Sequence, residues 1–551
     1  MNLSHAFAGQ NVGVTRVGER IRLVTFMKYD RLSSRNEDVV TYAIQISTRQ
    51  ASALFLIVPI GLVAVLAAAL QTARLGSSPP YLSIEEISVA REAVVLASTG
   101  RNADGQLFPL YFPDPGSHAM REPVWVYWEA ALLSLLPFSE TLVRMPSACA
   151  AVIDVVLMFF VAREIFGSTK LATIAAAMLL LSPGHFIQGR IASMQIGTVT
   201  MTLAWVWFMV RYLRMHRRRD LVLAAGCLAA GIYIYAAALI ITPIYFAVTV
   251  FLVLRQRDAA GRSHLLAAGA TFGLLLLPIA VWFVLHPHDV LGEVAYYTHG
   301  DYNKNLGWRG FLGGDAVHHM DMWWSSYSPD HLFFSGDADM RFSTRTAGYF
   351  LLATAFPLAI GFVTARRSLS PDIWLLLWAG VVLAPVPAAV VSNDELKRFL
   401  TFVPFVVLIA TCGLQWMLAR GRVARLCCAL LIAFGLMQAA TFLDYYFGDY
   451  RAVAAKKMGG NLRGAVHEML ALSAPTDCIL LAVEPYYFQD EWNLYTRAYR
   501  RHFVTTSRLA DTSSCAGVTA LGAPGDPRFE GWRTIPIPEM DGEVRLAVYH
   551  R

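Results

Sequence analysis

Ala51-Ser-Ala-Leu-Phe-Leu-Ile-Val-Pro-Ile-Gly-Leu-Val-Ala-Val-Leu-Ala-Ala-Ala-Leu70 carries no charge. A polar stretch follows, Tyr81-Leu-Ser-Ile-Glu85-Glu86-Ile-Ser-Val-Ala-Arg91, and runs on to Thr99-Gly100-Arg101. At 1.5 Å rise per residue the first run spans roughly 30 Å, one bilayer core. The second stretch places two adjacent carboxylates at the head of an apolar pattern of helical period. Ser83 followed by Glu86 fits a capping box. The pair therefore has two open readings, a helix cap or acid–base chemistry beside a membrane.

The rest of the chain agrees with a membrane setting. Of 551 residues, 56% are hydrophobic and 16% charged, against about 25% charged in soluble proteins. The net charge of +6 is no nucleic-acid signature, because the arginines cluster beside apolar spans. Membrane lipids are the expected surroundings. Further apolar spans fall at roughly 143–163, 171–182, 194–213, 221–236, 238–254, 264–285, 347–364, 373–391, 399–417 and 426–443, giving about 11 transmembrane helices with the first. One set of short links carries Arg163 and Lys170; Arg211, Arg214, Arg217, Arg218 and Arg219; Arg255, Arg257 and Arg262; Arg366 and Arg367; and Arg420, Arg422 and Arg425. These alternate with poorly basic links. The positive-inside rule then predicts a cytoplasmic N-terminus and a C-terminus outside.

Three regions follow from this pattern. Residues 1–49 are polar and mildly basic, and are expected to form a cytoplasmic extension without stable structure and without a cleaved signal peptide. Residues 50–443 form the membrane domain, with outer loops at 71–142 and 286–346. Within the first loop, Val124–Phe138 contains Glu129 and reads as an interfacial helix. Residues 444–551 read as a small extracytoplasmic α/β domain, with an amphipathic helix near 456–472 and strands at Cys478–Val483, His502–Thr506 and Val544–Tyr549. If that domain lies outside the cytoplasm, Cys478 and Cys515 are placed to form a disulfide. The other five cysteines fall in or beside apolar spans.

A series of short motifs runs in order along the chain. Glu85-Glu86 is followed by Thr99-Gly100-Arg101, Gly105, Arg121-Glu122-Pro123-Val124 and Arg144-Met-Pro146-Ser147-Ala148. Then come Arg163-Glu164-Ile-Phe166-Gly167, Ser182-Pro183 with Arg190, Tyr327-Ser-Pro-Asp-His-Leu-Phe-Phe-Ser-Gly336-Asp337, and Lys397-Arg398-Phe-Leu with Pro404. This succession resembles the integral-membrane glycosyltransferases of the GT-C fold. These include protein O-mannosyltransferases and bacterial enzymes that move aminoarabinose or other sugars from a polyprenyl-phosphate carrier. The resemblance covers most of residues 50–420. It implies an all-α polytopic membrane protein that transfers a sugar from a polyprenyl-phosphate donor to a lipid, glycan or protein acceptor. The implied location is the outer face of a membrane, expected to be the bacterial inner membrane. Glu85 stands where the family has its catalytic Asp, a departure of one methylene, and Glu86 matches the family's second acid.

The chemistry explains these residue types. Inverting transfer needs a base for the acceptor hydroxyl's proton and cations for the charge that develops on the phosphate. Arginine's planar fork suits phosphate oxygens. Glu85 is assigned the base role and Glu86 a positioning role, since adjacent helix positions point about 100° apart. The donor-phosphate candidates are Arg121, Arg190, Arg398 and Arg144, and each is equally readable as an interfacial anchor or a structural ion-pair member. Lys397 is expected beside the site without contacting it, and Arg101 to stabilise the turn after its helix. Tyr127 and Trp128 are candidate sugar or acceptor contacts. Trp308, Trp323 and Trp324 fit either sugar stacking or an aromatic belt. His286, His288, His299, His318, His319 and His331 match no standard zinc spacing, so no metal and no cofactor is expected. A transporter or flippase of lipid-linked glycans would show paired repeats and ionisable residues within spans. Here Asp154 is the exception in nearly charge-free spans. A non-catalytic relative that binds sugar or lipid is the remaining alternative.

Overall fold

The computed structural model describes residues 13–16, 22–26, 29–33, 58–113, 120–256, 259–292, 316–391, 393–482, 488–499 and 503–551. The expectations for Arg257, His299 and Trp308 fall outside these. The chain divides into two units, Met1–Leu62 and Val63–Arg551.

The first unit corrects the expectation of an unstructured extension. It holds an antiparallel meander of β1 (Gly13–Arg16), β2 (Arg22–Phe26) and β3 (Tyr29–Ser33). Val14 pairs with Val24 and Thr15 with Leu23.

In the larger unit a helix stands at every expected span. Among the described residues, six are long and apolar enough to cross a membrane: Glu140–Phe166, Gln195–Met215, Ala238–Arg255, Ala260–Leu285, Pro371–Val390 and Arg422–Phe447. Val58–Thr72, Thr169–Leu180 and Phe402–Leu418 are apolar but shorter. Arg218–Gly231 and Ala355–Ser368 are 14 residues each. Six helices of spanning length therefore stand where eleven were expected.

One of the short helices lies deep in the bundle. Phe402–Leu418 is almost wholly buried and touches Ala355–Ser368 backbone to backbone. A Cβ on Gly413 would come within 1.9 Å of the Pro357 carbonyl oxygen, and one on Gly361 within 2.0 Å of that of Ile409. Small residues at such crossings let helices approach closely where no hydrophobic effect drives them together. Ala260–Leu285 and Arg422–Phe447 are only 17% buried, which leaves their apolar surfaces to lipid.

Several of the sequence motifs prove to be helix punctuation. Helix Ile84–Thr99 starts at the Ser83/Glu86 capping box and stops at Gly100, whose φ of 69° suits glycine. Arg101 Nη1 then donates to the Gly105 carbonyl at 2.6 Å, closing the turn as expected. Helix Glu140–Phe166 ends at Gly167 (φ 65°), and Ser168 caps the next helix. Ser182-Pro183 opens the short helix Pro183–Gln188. Beyond Gly100, β4 (Phe112–Pro113) pairs with β5 (Met120–Arg121) and leads into helix Pro123–Leu135.

The C-terminal region is an α/β domain. Its sheet runs in the order β7 (Val504–Thr506), β6 (Cys478–Leu481), β8 (Val518–Gly522), β10 (Val544–His550), β9 (Arg533–Pro538). The first three are mutually parallel, and β10 is antiparallel to β8 and β9. The single amphipathic helix expected at 456–472 is two helices, Tyr450–Lys457 and Leu462–Leu472. Gly459 and Gly460, at φ 94° and 79°, break it. Helices Leu462–Leu472 and Phe488–Ala498 cover the sheet through Val466, Met469 and Trp492. The domain packs on the back of helix Ile84–Thr99, where Leu494 joins Leu82, Ile87, Ala90, Val143 and Ala192. Arg91 donates to Asp490 at 2.5 Å, and Tyr495 to Glu140 at 2.7 Å.

Cys478 and Cys515 are disulfide-bonded across 37 residues. Removing that loop constraint from the unfolded chain should cost about 3–4 kcal/mol. Thermal unfolding of the Cys478→Ser, Cys515→Ser double variant is expected to show an earlier transition than the oxidised protein.

Candidate active site

Glu85 and Glu86 open the same helix and have different surroundings. Glu86 is buried at 1% exposure. It accepts from the Ser83 amide at 2.7 Å and from the Ala192 amide at 2.8 Å. Arg144 Nε reaches the same carboxylate at 2.7 Å, and its Nη2 at 3.2 Å. The rest of the Arg144 guanidinium donates to the carbonyls of Leu75, Pro79 and Tyr81 at 2.6–3.0 Å. Arg144 is thus a wholly buried brace with its fork filled by protein, which corrects its assignment as a phosphate ligand.

Arg190 is corrected in the same way. Its two terminal nitrogens donate to the carbonyls of Leu70, Gln71, Ala73 and Ser78 at 2.5–3.2 Å. Its guanidinium lies over the rings of Phe186, Tyr446 and Phe447. It is fully buried, so it clamps the chain after the first apolar helix and leaves no face for a ligand.

Glu85 faces a cleft. The lining includes Arg121, Glu122, Gln195, Tyr235, Phe342 and Lys397. Arg341 Nη1 donates to both Glu85 oxygens, at 3.1 and 2.9 Å, and is itself gripped by Asp339 at 2.7 Å. Arg121 Nε donates to Ser88 Oγ, one turn along the same helix, at 3.2 Å. Burial pushes the Glu85 carboxyl upward. The charges of Arg341, Lys397 and Arg121, with the helix's own amide, outweigh that and hold it below the ordinary carboxylate range. The Glu85 side chain keeps 35% exposure, so it is both ionised and reachable.

Lys397 corrects another expectation, because it lines the cleft. It is 7% exposed and pairs with Glu395 at 2.7 Å. Burial disfavours its charge, but Glu395 and Glu85 more than compensate and raise its pKa. Arg398 Nη1 donates at 2.9 Å to the hydroxyl of Tyr235, a cleft residue. Tyr127 and Trp128 do not line the cleft. The Tyr127 hydroxyl donates to the Pro109 carbonyl at 2.9 Å, and the Trp128 ring meets Trp125 edge-on.

Arg341 is the site residue that the sequence reading missed. It stands four positions after Asp337, just past the quoted Tyr327–Asp337 motif. The one local signal is Asp339 two residues before it, the spacing of a self-contained ion pair. The site therefore gathers one ionised, accessible carboxylate and three cations, Arg121, Arg341 and Lys397. Such a cleft attracts an anion and offers a base beside it.

Residues 119–282 match a family model described as dolichyl-phosphate-mannose-protein mannosyltransferase. Among curated proteins, none matches the chain in sequence. The structure is similar to ArnT from Cupriavidus metallidurans in the apo state, with 13% identity and a TM-score of 0.53, covering 91% of this chain and 98% of that one. It is similar also to the same protein bound to undecaprenyl phosphate, with 12% identity and a TM-score of 0.52, covering 90% and 97%. The chain is an integral membrane protein with the GT-C fold.

Substituting Arg144 by Met should leave the Glu86 charge buried and uncompensated, at a cost of about 3–5 kcal/mol. Thermal unfolding in detergent is expected to show this loss. Arg144→Lys should not restore stability, because a point charge cannot serve three carbonyls and a carboxylate together.

Proposed function

We propose that this protein is an inverting glycosyltransferase that moves a sugar from a polyprenyl-phosphate carrier to a hydroxyl of a lipid, glycan or protein acceptor. The observation that carries the reading is that accessible, ionised Glu85 lines one cleft with Arg121 and Lys397 and is paired there with Arg341. The family match to a dolichyl-phosphate-mannose-dependent enzyme over residues 119–282 supports it. So does the shared fold with a protein solved bound to undecaprenyl phosphate.

The acceptor hydroxyl attacks the sugar's anomeric carbon as Glu85 takes its proton. The bond from that carbon to the phosphate oxygen breaks, and the electron pair leaves with the lipid phosphate. Arg121, Arg341 and Lys397 hold the phosphate oxygens as their charge grows. Arg398 acts on the same cleft through Tyr235. Glu86, fixed by Arg144 and the Ala192 amide, sets where Glu85 points. In this reading the cleft opens on the outer face of the bacterial inner membrane. The N-terminus is cytoplasmic and the C-terminal domain periplasmic, as the arginine-rich links argue.

The transport alternative gains nothing from Asp154. That carboxylate is wholly buried, accepts from Thr200 at 2.5 Å, and meets His185 Nε2 at 3.1 Å.

Comparing the glycolipids and glycoproteins of cells with and without the protein identifies the product. In membranes carrying Glu85→Gln, transfer to that product should fall by about 10²–10⁴-fold, with folding and membrane insertion unchanged. Normal transfer by this variant would remove Glu85 as the base. Arg341→Ala and Lys397→Ala should each raise the donor KM by at least about tenfold, as expected for charge-assisted phosphate contacts. An unchanged KM would take that residue out of the donor site.

A further inference from the structure

We infer that Asp337 is a positioning residue for the donor site: one of its carboxylate oxygens joins the loop that carries Arg341 to the segment that carries Lys397, and so sets the spacing of the two cations that face Glu85. The inference rests on the reading of the cleft as a lipid-phosphate site and deepens it.

Asp337 is 2% exposed, at the base of a folded loop. Its Oδ1 accepts from the Tyr349 hydroxyl at 2.7 Å and from the Leu396 amide at 3.0 Å. Leu396 immediately precedes Lys397, and Asp337 stands four residues before Arg341. One oxygen atom therefore bridges the two backbones that deliver the cations. The other oxygen, Oδ2, is buried with no hydrogen-bond partner among the described residues. Burying an acid at an unequally satisfied position is costly, and a hydrophobic pair would hold two segments together more cheaply.

The loop is rigid between these points. Gly336 turns at φ 65°, and a Cβ there would press on Ser343 Oγ at 2.7 Å. Ser343 Oγ donates to the Ser335 carbonyl at 2.9 Å, and Arg345 Nη1 to that of Asp337 at 3.2 Å. The Tyr450 hydroxyl holds the Met340 carbonyl at 2.7 Å. The Phe342 ring contacts both cations, 5.2 Å from the Arg341 guanidinium carbon and 4.4 Å from Lys397 Nζ. A shift at Asp337 is thus passed directly to both. Burial, opposed by the hydrogen bonds from Tyr349 and Leu396, pushes the Asp337 carboxyl up to about 7. An amide in its place keeps the accepting oxygen and resembles the protonated acid.

The test uses the full-length protein in detergent, with undecaprenyl phosphate as the probe. Asp337→Ala should weaken binding by about tenfold, the value of losing two buried hydrogen bonds, and Asp337→Asn should bind within about twofold of the parent. On an Arg341→Ala background, Asp337→Ala should cost much less, since the cation that it positions is already gone. Tyr349→Phe, which removes one of the two bonds, should weaken binding by about threefold. Unchanged affinity in Asp337→Ala, a loss that Asn does not restore, or full additivity with Arg341→Ala would each overturn the inference. Should Asp337→Ala not fold, the comparison of Tyr349→Phe with Asp337→Asn decides, and unchanged binding by Tyr349→Phe overturns it. A parent protein that binds no undecaprenyl phosphate overturns the functional reading and this inference with it. A parent that binds while Asp337→Ala binds equally well overturns the inference alone.

Discussion

The contact between Arg144 and Glu86 is the reference point of the cleft. Neither side chain sees solvent, so neither charge is tolerable without the other. Arg144 comes from a membrane helix, and Glu86 from the helix that carries the accessible carboxylate. The carbonyls of Leu75, Pro79 and Tyr81 fix the segment between them. The Ala192 amide brings the wall of the cleft to the same carboxylate. Three stretches of chain distant in sequence, residues 75–86, Arg144 and Ala192, are thus registered on one ion pair. Glu86 serves both as the reciprocal member of a capping box and as this anchor, and Glu85 is left free of structural duty on its own helix.

The cations around Glu85 have two opposed effects. They keep the carboxylate ionised inside a partly buried cleft, and by the same attraction they make it a weaker base. In the proposed reaction the donor phosphate shares those cations. As it binds, Arg341 and Lys397 divide their charge between phosphate and carboxylate, and the carboxylate recovers basicity when an acceptor is to be deprotonated. The extra methylene of Glu over Asp bears on this point, because the longer side chain reaches Arg341.

Much of this was legible in the sequence. The apolar runs marked the six described helices long enough to cross a membrane, because lipid exposure enforces unbroken hydrophobicity. Ser83, Gly100, Gly167 and Pro183 marked helix ends, because capping is local chemistry. Glu85 was singled out by motif order, and it lines a cleft with Arg121 and Lys397. A helix such as Phe402–Leu418 is short for a bilayer, because a span wrapped in protein need not match the bilayer by itself. Arg144 and Arg190 were misassigned for a related reason. A sequence shows that an arginine lies at a span end, but not that carbonyls from another segment fill its fork. Arg341 and Lys397 were missed or undervalued because they come from segments hundreds of residues from Glu85. Only tertiary folding brings them together. The meander at Gly13–Ser33 was overlooked because its polar composition hid short β-branched pairs.

The C-terminal domain rests on the outer flank of the helix that begins with Glu85. Leu494 fills the space beside Leu82, Ile87 and Ala90, and Asp490 answers Arg91. A chain cut after Phe447 would leave that flank bare and remove Asp490 from Arg91. The tail is accordingly not a cassette that can be swapped between proteins at the membrane boundary. Its surface and the flank of the site helix are two halves of one mould, and a change in either must be matched in the other.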